Sequence, residues 1–200
     1  CLSRGLGDVY KRQDMFIISC QYDQSQVTAN STSIPVTLLS TPLCIDPKNN
    51  EGLTQTKAEP TNPLYSLDKQ QSSLVYYDKN TIVLTMPYWV KVTNSSVEDS
   101  ELKKHSFVLS YDPTTMKDTD TKLKLYISHV VDDAGETVTR SNFTYAYRAY
   151  SIRAALTVFK EKTGKLPKYL ELTAKTNSSK DELKEESGET SVEYDYAFTE

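Results

Sequence analysis

Three cysteines, two histidines and one tryptophan in 200 residues leave little material for the commonest site chemistries. Cys1, Cys20 and Cys44 show no C-x-x-C spacing, and with only His105 and His129 beside them no zinc site of the usual ligand set is expected. Basic charge is in the minority: a net charge of -4 and a pI near 5.3 exclude the basic face that nucleic acid requires. No apolar run approaches the roughly 18 residues of a membrane-spanning helix. With two histidines no Ser-His-Asp order is compelling, and Glu193 and Asp195 share one solvated strand face. No catalytic residue is therefore assigned, no cofactor or metal is implied, and no enzymatic activity is expected.

Tyrosine is the residue in excess, 14 against 5 Phe. Together with Thr and Val it favours half-buried pleated surfaces and an all-β protein. Alternation is clearest in "TIVLTMPYWVKV", which puts Ile82, Leu84, Met86, Tyr88, Val90 and Val92 on one face. The same period groups Phe107, Leu109 and Tyr111; Leu123, Leu125, Ile127 and His129; and Phe143, Tyr145 and Tyr147. Further on it groups Leu170, Leu172 and Ala174, then Val192, Tyr194, Tyr196 and Phe198. "DDAG" at 132–135 is a turn in which Gly135 can take a positive φ. One helix interrupts the strands: "SIRAALTVFKEKTG" has Ser151 as a plausible N-cap, a stripe of Ile152, Ala155, Leu156 and Phe159, and Gly164 as its stop. Strands joined by polar turns over residues 76–200 predict an antiparallel, Ig-like β-sandwich with one short helix.

Upstream the pattern changes. Residues 47–75, rich in Asn, Gln, Thr, Lys and Pro, have no period and read as a linker, with Leu64, Tyr65 and Leu67 free to dock on a neighbouring sheet. Residues 14–46 hold two apolar runs, Met15–Cys20 and Ile34–Ile45, too little for an independent domain. "CLSRGLGDVYKRQ", residues 1–13, resembles translated sequencing-adaptor sequence of the kind fused to open reading frames from environmental DNA. The chain is accordingly expected to be a gene fragment, and since this segment carries a net +2 the remainder is more acidic still.

The succession "HSFVLSYDP", "TKLKLYISHVVDD", "SIRAALTVFKEKTGKLPKYLELTAKTN" and "SVEYDYAF" resembles the C-terminal β-sandwich domain of NigD-like proteins. These are cell-envelope lipoproteins of Gram-negative anaerobes. The resemblance implies an N-terminal OB-fold domain, of which 14–46 would be a truncated remnant. It also implies a non-enzymatic binding or assembly module whose partner is a protein or glycan of the envelope. By the same resemblance, membrane attachment is expected at the outer membrane and only through a lipid anchor that this fragment lacks.

Individual residues divide as follows. Lipidation of Cys20 is not expected, because only Met15 to Ile18 stand where an apolar region of about 7–15 residues is needed. An oxidising envelope would permit a Cys20–Cys44 disulfide, with burial as small apolar side chains the alternative. His129 reads as a structural histidine hydrogen-bonded at the sandwich rim, with a metal site shared with Asp132 or Asp133 as the sharper option; His105, among lysines, reads as exposed. Asp112, Asp118 and Asp120 miss the Ca²⁺-loop spacing and read as an acidic turn. Should the chain be a carbohydrate-binding accessory module instead, Trp89, Tyr126 and Tyr150 are the aromatic candidates.

Overall fold

The computed structural model describes residues 15–45, 53–183 and 189–198. The chain separates into two compact units, residues 1–49 and 50–200. In the first, β1 (Met15–Ile17) pairs antiparallel with β4 (Leu43–Ile45), and β2 (Cys20–Gln21) with β3 (Thr37–Leu38). Strands of two or three residues bury little. Phe16, Ile18, Leu38 and Leu39 stay exposed, and neither ladder closes into a barrel among the described residues. The adaptor-like segment and Asp14 lie outside those residues.

The second unit is the sandwich. β5 (Ser73–Asp78), β6 (Thr81–Val90) and β9 (Asn142–Ser151) form a sheet in the order β5-β6-β9. β7 (His105–Ser110), β8 (Lys122–Val131), β10 (Tyr169–Lys175) and β11 (Glu189–Asp195) form the other, in the order β11-β10-β8-β7. Neighbours run antiparallel except β8 and β10, which are parallel. That pair needs a crossover, which β9 and the helix α2 (Arg153–Thr163) supply. Between the sheets lie the residues that alternation picked out: Ile82, Leu84 and Met86 of β6, Leu109 of β7, Leu123 and Leu125 of β8, Leu170 and Leu172 of β10. α2 adds Ala155, Leu156 and Phe159 at its 3.6-residue period, all buried.

Three local expectations need correction. Ser151 does not cap α2. It is the last residue of β9, paired with Thr81, and Ile152 occupies the cap position without a side-chain bond. Ile152 is fully buried and its amide donates to the Asn80 carbonyl at 2.7 Å, so burial and a ladder contact outweigh the hydroxyl cap. Gly164 does end the helix, in the left-handed region at φ 74°.

The sense of β9 is also reversed. Opposite the inward Ile82 and Met86 stand Tyr150 and Ala146, both buried in the core. Phe143, Tyr145 and Tyr147 therefore share the outer face, the first two 42% and 40% exposed. Aromatic residues on both sides of one strand made the alternation ambiguous, and pairing with β6 decides it.

Residues 53–72 are docked rather than free, as the sequence allowed only for Leu64, Tyr65 and Leu67. Thr54 bridges Ser110 at the open edge of β7, and the Ser128 hydroxyl donates to the Ala58 carbonyl. Asn62 then bridges His129, and Leu64 bridges both Tyr88 and Thr176. This passage, 61–65, stitches the ends of β8, β10 and β6 together where the regular ladders have stopped. Leu64 and Leu67 are buried in the common core, while Tyr65 stacks on Phe143 with centroids 4.2 Å apart. Leu64→Ala is expected to lower stability by about 2–5 kcal/mol, the range of a core deletion. Chemical denaturation measures it; a loss under about 0.5 kcal/mol, as at an ordinary surface position, would return the segment to linker status.

Candidate functional site

The densest polar chemistry lies at the same end as the stitch. α1 (Asp99–Leu102) is one turn long and offers Glu101 four residues before His105, across the turn at Lys103 and Lys104 that joins it to β7. His105 begins β7, directly opposite Val131 at the end of β8, and His129 sits two residues earlier on β8 with the inward parity of Leu125 and Ile127. The β8–β9 connection supplies Asp133 and Arg140, and the β10–β11 connection supplies Asp181. All of these side chains are largely withdrawn from water: Arg140 is 1% exposed, His105 0%, Glu101 7% and Asp181 8%.

Arg140 is the hub. Its Nε donates to Glu101 Oε1 at 2.7 Å, its Nη2 and Nη1 to the two oxygens of Asp133 at 2.7 and 2.9 Å, and its Nη1 also to Asp181 at 3.4 Å. The Lys91 amide donates to Glu101 Oε1 at 2.9 Å, and the Asn62 side-chain amide to Asp181 at 3.0 Å. Lys104 approaches Asp133 from the solvent side at 3.4 Å. A row of rings continues inward from Glu101. His105 Nε2 lies 3.2 Å from Glu101 Oε1, His105 Nδ1 2.9 Å from His129 Nε2, and His129 Nδ1 3.1 Å from the Pro63 carbonyl. Phe107 stacks on His129 and Tyr88 packs edge-on against it.

The chemistry of this row follows from its ends, which both accept hydrogen bonds. His129 must carry its proton on Nδ1 to reach Pro63, which leaves its Nε2 only an acceptor, facing His105 Nδ1. Two neutral rings hold two protons for three contacts, so the one proton of His105 serves Glu101 from Nε2 in one tautomer and His129 from Nδ1 in the other. Burial pushes the His129 pKa down to about 3 and lowers that of His105, whose hydrogen bond to Glu101 opposes the shift. Burial raises Glu101, but donors from Arg140, Lys91 and His105 outweigh it and keep the carboxyl below its ordinary value. Arg140 holds Asp133 down likewise, whereas burial leaves Asp181 raised. A carboxylate and two imidazoles in line suggest a relay, yet this one ends on a backbone carbonyl and presents no hydroxyl or thiol.

His129 is therefore the hydrogen-bonded rim histidine the sequence suggested, and Asp133 serves Arg140 rather than a metal. His105 is buried, not exposed: the Glu101 pairing at i, i+4 draws it inward despite the flanking lysines. Arg140, Glu101 and Asp181 were missed altogether. Only the Glu101–His105 spacing could have hinted at them.

The aromatic candidates do not form a platform. Trp89 is buried under Tyr65 and donates its indole N–H to the Asn177 carbonyl at 2.8 Å. Tyr150 is buried between the sheets, its hydroxyl donating to the Phe107 carbonyl at 2.9 Å. Tyr126 is half-buried on the outer face of the four-stranded sheet beneath the Lys57 ammonium. No two of the three share a surface. Cys20 carries a free, exposed thiol opposite Leu38, whereas Cys44 pairs in the other ladder with Phe16. The two cysteines are thus not cross-strand neighbours, and the Cys44 side chain lies outside the described residues. Asp112 and Asp120 each accept hydrogen bonds from their own turn, at Thr114 and Lys117.

No family model matches the chain, and no curated protein matches it. Among solved structures, a protein of Bacteroides fragilis NCTC 9343 named a "putative lipoprotein" superposes with a TM-score of 0.73 at 29% identity. The match covers 92% of this chain and 83% of that one. The chain is similar to that protein through most of both lengths. An uncharacterized protein of Parabacteroides merdae ATCC 43184 follows at a TM-score of 0.53 and 15% identity, covering 94% and 84% of the two chains, a likeness of fold alone.

Two outcomes follow from the network. Arg140→Ala leaves the buried carboxylates of Glu101 and Asp181 without their cation and is expected to cost about 3–5 kcal/mol in denaturant unfolding. The pH response has a definite sign. Both histidines are lowered in the folded state, so the unfolded chain binds more protons below about 6.5, and stability falls as pH drops through that range. Glu101 and Asp133 add losses at still lower pH, while Asp181, raised, works the other way. Thermal melts should show the wild type losing stability between pH 7 and 5 and a His105→Gln/His129→Gln variant changing less; equal slopes would contradict the assignment.

Proposed function

We propose that this chain is the body of a NigD-like cell-envelope lipoprotein, acting as a non-enzymatic binding or assembly module. The observation that carries the reading is the similarity to the Bacteroides fragilis lipoprotein, which extends over both units at 29% identity. The strands of the first unit fit the late and closing strands of an OB-type domain, β1 against β4. The buried histidines support a non-catalytic role, since their hydrogen bonds are spent on Pro63 and Glu101. Attachment would come from a lipid on a cysteine other than Cys20, which stands within strand β2. The gene that encodes this chain, expressed with a C-terminal tag in its own bacterium supplied with an alkyne-bearing palmitate, should yield a labelled product in the envelope fraction. An unlabelled product recovered with the cytosol would refute the reading.

A further inference from the structure

At the end of the sandwich away from the stitch, α2 and the ends of β10 and β11 frame two adjoining openings of about 460 and 410 Å³ that share Leu166 and Tyr196. Each is of the size that holds a small ligand, roughly 300–1,000 Å³. The floor is apolar and aromatic: Leu156 and Tyr196 are buried, Tyr169 and Phe198 half-buried. The rim is cationic, with Lys79, Arg153 and Lys160 around one opening and Lys165 and Lys168 around the other, all exposed. Among the described residues, the acids that face this region are Asp195, which lines one opening, and Asp78, whose charge is felt by Tyr196. On a chain of net charge -4 such a concentration of cations runs against the average.

The backbone that carries the cations is also held in place. The Tyr196 hydroxyl donates to the Lys79 carbonyl at 2.8 Å, and its amide donates to the Lys168 carbonyl at 2.8 Å. One residue thereby fixes the two backbone segments that carry cations on either side of the groove. The Ile152 amide anchors the start of α2 to Asn80, and Gly164 turns the chain sharply into the Lys165 segment. A backbone fixed in this way has less ordering entropy to lose on binding.

We infer that this groove binds an acidic oligosaccharide, its carboxylate or sulfate groups meeting the lysines and Arg153 and its sugar faces lying on Tyr169 and Phe198. Two shallow, adjoining openings with cations spaced around both suit acidic groups repeated along a short chain better than they suit a flat membrane surface. Aromatic rings give a sugar ring an apolar face, and guanidinium and ammonium groups give its acid a partner. This inference rests on the binding-module reading and assigns it a ligand class, without depending on lipid attachment.

Isothermal titration of the full chain with a tetragalacturonate and a heparin tetrasaccharide tests it at low ionic strength. At least one should bind with a micromolar Kd that weakens as salt is added, while neutral maltotetraose should not bind. Lys165→Ala/Lys168→Ala and Arg153→Ala should each weaken binding by about tenfold or more, and Lys124→Ala on the outer face of β8 should leave it unchanged. These side chains are exposed, so the fold is not at stake. Failure of both acidic probes, or binding that the double variant retains, overturns the inference. Binding of phosphatidylglycerol vesicles and of neither tetrasaccharide overturns it too, in favour of a lipid surface. Either failure leaves palmitate labelling of the parent protein untouched.

Discussion

A guanidinium withdrawn from water must have its charge met on every side, and Arg140 meets that demand with Glu101, Asp133 and Asp181. Each partner comes from a different connection, so satisfying one cation fixes α1, the β8–β9 turn and the β10–β11 loop in a single geometry. Glu101 passes the constraint on to His105 and His129, and His129 passes it to the backbone of Pro63. Segment 61–65 is therefore held from two directions, by the ring row from within and by ladder contacts from Leu64. The sandwich owes its closed end to this arrangement, because there β8 has left the β10 ladder at Ile127, β6 has left the β5 ladder at Thr85 and β10 ends at Lys175.

The opposite end is built differently. Around α2 the ties are backbone and hydroxyl contacts centred on Tyr196, and the cations of the groove rim are exposed. One end thus uses its charges inwardly to hold the structure, and the other presents them outwardly. A buried salt-bridge network contributes little net stability, but its partners tolerate no alternative placement, which suits a scaffold more than a reactive site.

Legibility in the sequence followed the range of the interactions. β6, β7, β8 and β10 were readable because each has a strict two-residue period with one apolar face, and α2 because Ile152, Ala155, Leu156 and Phe159 keep a helical period before Gly164. β9 misled because Phe143, Tyr145 and Tyr147 on one face compete with Ala146 and Tyr150 on the other, and only its register against β6 breaks the tie. Residues 53–72 look featureless since they pair in single bridges rather than runs, which leaves no period. The Arg140 network was invisible for a related reason: Arg140 meets Glu101 across 39 residues and Asp181 across 41, from stretches whose composition says only turn. Aromatic parity likewise could not reveal that Trp89 and Tyr150 spend their polar atoms on backbone carbonyls.

The central claim is that the buried row from Arg140 to Pro63 makes segment 61–65 part of the folded core. Native-state hydrogen exchange tests it most directly, through the amides of Asn62, Leu64 and Tyr65, which donate to His129, Lys175 and Pro87. The account predicts that these amides exchange as slowly as those of β8, and that His129→Phe speeds them selectively while the β10–β11 ladder keeps its protection. Fast, loop-like exchange of all three in the wild-type protein would contradict it.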